Sequence, residues 1–259
     1  MSLARSQDGT TIGYTRTGSG PAVVLVDAAS CYRDSGPLPA LAEALASDFT
    51  VYTYDRRGRG ESGDTLPYAV EREVKDLRAL IDVAGGTAFV HGFSSGAVLA
   101  LHAAAQGLPI RALSLLEPPL DESPVEDTAL SAEITALVDA GRPADALLHF
   151  HTTVGVPEEI VAGMRQSPQW PELVALAHTL VYDLAIVGKA PDFTAISAPT
   201  LVVDSSHTDE RLRAWADGVA ANLPGAARRT LPGEWHGVAP EVLAPVLAEH
   251  FSAAVQRTE

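Results

Sequence analysis

Thr87 to Leu101, TAFVHGFSSGAVLAL, is the stretch whose reading decides the fold. The apolar run Ala88-Phe89-Val90 leads into Gly92-Phe93-Ser94-Ser95-Gly96, and a stretch rich in Ala and Leu follows. This reads as strand, sharp turn and helix, with Ser94 at the apex of a G-x-S-x-G nucleophile elbow. A serine held on a strained strand-to-helix turn crowds the backbone two residues to either side, and glycine removes the offending Cβ. The turn also sets the N–H groups of a helix N-terminus beside the hydroxyl, where they can hold a developing oxyanion. With Gly and Ser each at ~7% of residues, the pattern arises by chance in about one chain in twelve of this length. Its weight comes from the strand before it and the helix after it.

Working outward, the neighbours repeat the same rhythm. Ser2 to Gly20 carries two short segments around Asp8-Gly9, a hairpin signal. Pro21 opens Ala22-Val23-Val24-Leu25-Val26, an uninterrupted apolar run typical of a strand covered on both faces. Residues 39–46 have helical spacing, and Phe49 to Tyr54 is a second buried strand ending in Asp55-Arg56-Arg57-Gly58-Arg59-Gly60-Glu61-Ser62. Val70 to Val83 places Val70, Val74, Leu77, Leu80 and Ile81 on one helix face. Residues 111–116 form the strand after the elbow helix and end at Glu117-Pro118-Pro119. Strands alternating with helices predict an α/β fold, a mostly parallel sheet with helices on both faces.

From Leu120 to about Pro191 the rhythm breaks, and only helical patterns remain, roughly 126–140, 143–152, 157–166 and 171–187. Pro and Gly punctuate them at Gly141, Pro143, Gly155, Pro157, Pro168 and Pro171. Strand and helix then alternate again, with strands at 199–203 and 227–231 and helices at 210–222 and 240–255. The expected organisation is a core of residues 1–119 and 192–259 with a helical cap of residues 120–191 inserted over the carboxyl edge of the sheet. That edge is where α/β sheets place ligands.

Composition narrows the function classes. The 259 residues are 46% apolar and 20% charged, ordinary for a globular chain, and suit one large domain with an insertion. A formal charge of −15 disfavours nucleic acid and anionic membranes as partners. The single Cys31 excludes an intramolecular disulfide and a cysteine-rich metal site. No apolar run approaches the ~20 residues needed to span a bilayer and no N-terminal apolar segment is present, so a soluble, cytoplasmic protein is expected.

The elbow, the Asp55–Ser62 stretch, the strand opening Ala198-Pro199-Thr200-Leu201-Val202-Val203, and Leu231-Pro232-Gly233-Glu234-Trp235-His236 before the last helix together resemble the α/β-hydrolase superfamily over essentially the whole chain. The chain order of nucleophile, acid and histidine also fits. The resemblance implies that Ser94 is the nucleophile and His236 its general base, since a serine hydroxyl near neutral pH needs an imidazole to take its proton. His91, His102 and His178 are expected in the core or packed under the cap, and His149 and His151 point apart at i, i+2 on a helix. For the acid two places are open. The family commonly puts an aspartate after the strand that follows the cap, where Asp204, Thr208 and Asp209 stand, and alternatively an acid straight after the strand before the cap, where Glu117 stands. A carboxylate at the end of a buried strand is expensive to leave unpaired, which favours Glu117 over Asp209.

Where many relatives carry His-Gly after the first central strand, this chain has Asp27-Ala28. The resemblance then assigns the oxyanion hole to the backbone N–H groups of Ala29 and Ser95. Asp27 adds negative charge there, for which Arg33 or a protonated His236 would compensate. Cys31 and Tyr32 are expected at the pocket mouth, and the Arg-rich turn at 56–59 is structural in the resembling family. The implied function is a serine hydrolase needing no cofactor or metal, acting on an ester, lactone or thioester of a small apolar molecule. Trp170, Leu173, Leu176, Tyr182 and Leu184 are candidates to shape its pocket. The serine argues against dehalogenase and epoxide hydrolase chemistry, which need a carboxylate nucleophile. A lyase, perhydrolase or cyclase on the same residues, or a ligand-binding receptor, remains as the alternative, and the sequence leaves a homodimer open.

Overall fold

An eight-stranded sheet in the order β1-β2-β4-β3-β5-β6-β7-β8 runs through the computed structural model, which describes residues 2–256. The strands are β1 (Ser2–Arg5), β2 (Thr11–Gly18), β3 (Ala22–Val26), β4 (Thr50–Tyr54), β5 (Ala88–Phe93), β6 (Ile110–Leu116), β7 (Thr200–Ser205) and β8 (Ala227–Leu231). β1 pairs with β2, and β2 with β4, antiparallel; every other pair is parallel. Around the sheet lie α1 (Leu38–Leu45), α2 (Val70–Val83), α3 (Ser95–Ala105), α9 (Glu210–Asn222) and α10 (Pro240–Gln256). The expected mostly parallel α/β architecture is what the chain adopts.

The apolar runs are explained by what covers them. Successive side chains of a strand face opposite sides, so Val24 and Val26 of β3 join the cluster with Val74, Leu77 and Leu101. Val23 and Leu25 join the cluster on the other face with Leu41, Leu247 and Phe251. Both faces are buried, which is why these strands show no polar alternation. The chain moves from β3 to β4 on one side and then to β5 on the other. The carboxyl ends of β3 and β5 therefore meet at the point where the strand order reverses, where such sheets open a crevice.

Between β6 and β7 the chain forms α4 (Thr128–Asp139), α5 (Pro143–Thr153), α6 (Glu158–Gln166), α7 (Trp170–Ala175) and α8 (Leu180–Val187). These inserted helices have an apolar cluster of their own, including Leu130, Ile134, Leu147, Phe150, Leu180 and Leu184. The sequence pattern predicts one helix over residues 171–187; the structure breaks it into α7 and α8 at a short 3₁₀ turn, Ala177–Thr179. Thr179 bonds the Leu176 carbonyl through both its hydroxyl and its N–H, at 2.8 Å each, and His178 Nδ1 bonds the Ala175 carbonyl at 3.1 Å. Such local bonds draw carbonyls out of the helical ladder and bend the axis. Among the described residues no helix is long and apolar enough to cross a membrane.

Candidate active site

Ser94 follows β5 with φ 54° and ψ −125°, a conformation held from both sides. Its N–H extends the ladder to the Leu116 carbonyl at 2.9 Å, and its carbonyl accepts the Ala97 N–H at 2.9 Å as α3 begins. A Cβ on Gly92 would lie 2.5 Å from Ala97 Cα. One on Gly96 would lie 2.5 Å from the Asp27 carbonyl oxygen and press on that of Val26. Gly92 thus lets α3 start close against β5, and Gly96 lets it start against the end of β3, which puts Ser94 beside the loop after that strand.

Glu117 leaves β6 fully buried and also with a left-handed φ, 45°. Its Oε1 accepts the Ser205 N–H at 2.8 Å, and its Oε2 accepts the Thr208 hydroxyl at 3.0 Å. The remaining contact is His236 Nδ1, 2.6 Å from Oε2. A carboxylate can only accept, so Nδ1 carries the hydrogen and Nε2 is left as the basic nitrogen of the ring. His236 is presented by the tight turn Glu234–Gly237, where each of those two residues bonds the other's backbone. The Ser205 hydroxyl donates to the Glu234 carbonyl and ties this turn to the end of β7. Among the described residues Ser94 Oγ has no hydrogen-bond partner within the chain; Ser94 and His236 share the wall of one cavity instead. Nucleophile–base contacts are often loose until substrate binds.

The other acid candidates are engaged elsewhere. Asp209 caps α9 through the Leu212 N–H at 2.8 Å, and its second oxygen accepts Trp235 Nε1 at 3.1 Å. It steadies the residue before His236 without reaching the ring. Asp204 is held by Arg228 at 2.6 Å and Arg213 at 3.2 Å. Thr208 serves Glu117 as a donor.

The cavity is about 860 Å³ and lies between the sheet edge and the inserted helices. Apolar side chains such as Phe93, Val125, Phe150, Ile160, Leu173 and Trp215 form much of its wall. Of the sequence-based candidates, Leu173 and Leu184 line it, and Trp170, Leu176 and Tyr182 do not. Tyr182 turns away to stack on Tyr68 at 4.0 Å and donate to Asp64 at 2.7 Å. Cys31 lines the cavity, whereas Tyr32 packs on the apolar cluster of the inserted helices.

Two cavity residues carried no sequence signal as site residues. His151 Nε2 lies 3.1 Å from Ser30 Oγ, both buried, and burial pushes the imidazole down to about 4, so it is neutral. Helical periodicity alone could not tell His151, facing inward, from His149, whose Nε2 meets Glu133 at 2.6 Å on the surface. His91 and His102 lie in the core, against Ser114 Oγ at 3.2 Å and the Ile186 carbonyl at 3.1 Å, but His178 is exposed. Ser30 has φ 57°, and among the described residues the non-glycine positions with positive φ are Ser30, Ser94, Glu117 and His236. All four belong to this one region, where strained backbone is commonly concentrated.

Ala29 and Ser95 both line the cavity, Ala29 on the loop after β3 and Ser95 as the first residue of α3. Asp27 is buried, and burial raises its carboxyl to about 7 against the pull of Arg59 and Arg56. Its Oδ1 accepts the Ala28 N–H at 2.8 Å, and the Cys31 thiol is a further hydrogen-bond partner of the carboxyl. The compensation expected from Arg33 does not occur, because Arg33 pairs with Asp55 at 3.0 Å and with Glu61. The Arg-rich turn is buried and paired. Arg56 meets Glu73 at 2.6 Å, Arg57 meets Asp76 at 2.7 Å, and Arg59 meets Asp183 at 2.6 Å.

Residues 18–247 match the alpha/beta hydrolase family. The chain belongs to that family. An alpha/beta hydrolase from Sphaerobacter thermophilus DSM 20745 is 49% identical, with a TM-score of 0.89 over 96% of this chain and 100% of that one. A thermophilic esterase from Thermogutta terrifontis shares the fold at 19% identity, with a TM-score of 0.73 over 99% of this chain and 98% of that one. An uncharacterized hydrolase of Bacillus subtilis (strain 168), YraK, is 38% identical over 97 residues, which is 36% of this chain and 35% of that protein's length.

Proposed function

We propose that this alpha/beta hydrolase family member is a serine hydrolase that needs no cofactor and cleaves an ester, lactone or thioester of a small, largely apolar molecule. The observation that carries the reading is the 2.6 Å contact between Glu117 and His236 in the cavity that Ser94 also lines. Glu117 orients the ring and stabilises its protonated form, in the manner of a triad acid. Ser94 Oγ attacks the acyl carbon and its proton passes to His236 Nε2. The N–H groups of Ala29 and Ser95 hold the oxyanion as the tetrahedral intermediate forms. Collapse breaks the bond to the leaving alkoxide or thiolate, which takes the proton from His236. Water, deprotonated by the same nitrogen, then releases the acid and restores Ser94.

The inserted helices act as a cap over this chemistry. Their apolar contribution to the cavity supports an apolar substrate, and a volume of about 860 Å³ is within the range of small-molecule sites. The test is a fluorophosphonate probe followed by peptide mass spectrometry. Labelling confined to Ser94 and lost in Ser94→Ala and His236→Ala is the expected result. An unlabelled Ser94 in the folded wild-type chain overturns the hydrolase reading in favour of a ligand-binding role.

A further inference from the structure

The peptide group that carries the Ala29 N–H also carries the Ala28 carbonyl, and that carbonyl is gripped. Arg59 Nη1 donates to it at 2.6 Å and to the Cys31 carbonyl at 3.2 Å. In a planar trans peptide the N–H points opposite to the C=O, so fixing one direction fixes the other. Arg56 Nη1 holds the preceding carbonyl, that of Asp27, at 3.2 Å. Both guanidinium groups converge on one carboxylate of the inserted helices. Asp183, on α8, accepts Arg59 Nη2 on Oδ2 at 2.6 Å and Arg56 Nη1 on Oδ1 at 2.7 Å. The same Oδ1 accepts the hydroxyl of Ser95 at 2.7 Å. Ser95 bears the second N–H assigned to the oxyanion. One buried carboxylate therefore ties together the frames of both donors.

We propose that Arg59 and Asp183 are positioning residues that aim the oxyanion-hole donors of Ala29 and Ser95, so that the hole is complete only while α8 is seated on the sheet edge. The proposal rests on the serine hydrolase reading above. Two physical effects support it. Donors stabilise a transition state in proportion to how well they are oriented before charge develops. A cation bonded to the carbonyl of a peptide also polarises that peptide and strengthens its N–H as a donor. The arrangement further explains why a helix as apolar as Leu180–Val187, LVYDLAIV, carries a buried aspartate. The pull of Arg59 and Arg56 and the Ser95 hydroxyl hold Asp183 below the usual carboxylate range despite its burial, so it is ionised.

The experiment follows fluorophosphonate labelling of Ser94 over time at several probe concentrations, which separates the maximal rate from the half-saturating concentration. Asp183→Asn and Arg59→Lys are expected to lower the maximal rate by about 10- to 100-fold, short of full loss of a donor. The half-saturating concentration is expected to stay within about twofold. Should either chain fail to fold by circular dichroism, Ser95→Ala keeps the backbone N–H and removes the hydroxyl with its bonds to Asp183 and Arg56; its expected loss of maximal rate is smaller, about 3- to 10-fold. A maximal rate unchanged in the folded variants, Ser95→Ala included, overturns the proposal even if melting temperatures fall, since a plain salt bridge would behave so. Equal damage to rate and half-saturation also overturns it, as the sign of a collapsed cavity. A wild-type chain that takes no label at all defeats the hydrolase reading itself, and this proposal with it.

Discussion

The cavity holds two serine–histidine pairs, and they differ in what stands behind the ring. His236 has Glu117 on Nδ1 at 2.6 Å, and that carboxylate is itself fed by Ser205 and Thr208. His151 has Ser30 Oγ at 3.1 Å on Nε2 and nothing on Nδ1. Each pair joins an inherently strained loop residue to a ring brought in from far along the chain. No carboxylate bonds the second ring, and burial outweighs the pull of Asp183 to push His151 down to about 4. On the proposed reading, the carboxylate bonded to the ring is what sets the first pair apart from the second.

Four measurements break or sharpen that contrast. The largest effect belongs to the backed pair, where Ser94→Ala should reduce kcat by about 10⁶ and Glu117→Gln by about 10⁴, read from steady-state ester hydrolysis. Near-normal turnover in Glu117→Gln would falsify the role given to the acid. The unbacked pair should act on recognition alone. Ser30→Ala and His151→Phe are expected to change kcat by less than about 10-fold, with the larger share of any change in KM. A loss comparable to that of Glu117→Gln would make the two pairs equivalents.

The third measurement probes the acid beneath the loop that leads to Ser30. Asp27 ordinarily titrates at 3.8 and in the fold at about 7, so across that window the folded chain keeps a proton that the unfolded chain has released. The contribution of Asp27 to stability is then expected to fall as pH rises from about 4 to 7, by up to about 1.4 kcal/mol per pH unit, and to level off above. Asp27→Asn lacks this slope and should gain on the wild type over the same range in urea melts. Parallel curves would mean that Asp27 is ionised like any surface acid. The smallest effect is that of Asp209→Ala. Loss of the α9 cap should cost about 1 kcal/mol of stability, while kcat changes by less than about threefold because the ring of His236 keeps its own acid.

Much of the site could be read from single residues because local chemistry marks them. Gly92 and Gly96 announce the elbow, since the close approach of α3 to β5 and to the end of β3 tolerates no Cβ. Glu117, between a buried strand and two prolines, is conspicuous as a charge with nowhere to go. The strand rhythm is equally plain because both faces of the sheet are covered. What the sequence hid depends on how the inserted helices dock. Nothing in the spacing of Trp170, Leu176 and Tyr182 distinguishes a cavity wall from packing, and the structure turns Tyr182 toward Tyr68. His151 and His149 look alike until one helix face meets the β3 loop. Asp183 did leave a trace, a lone charge in an apolar helix, but its partners lie 124 and 127 residues earlier in the chain.

Glu117 at the end of β6 stands beside the segment that leaves the neighbouring strand, β7. The connection from β7 into α9 brings no carboxylate to the ring; Ser205 and Thr208 donate to Glu117, and Asp209 caps α9 and accepts from Trp235. The first turns of α9 form part of the cavity wall with Arg211, Leu212 and Trp215, the guanidinium of Arg211 lying 5.1 Å over the indole of Trp215. Arg211 also clasps the Val154 carbonyl at the end of α5 at 2.8 Å. On the proposed reading, α9 contributes to substrate recognition while Ser94, Glu117 and His236 stand on other segments, so the two tasks can be altered separately.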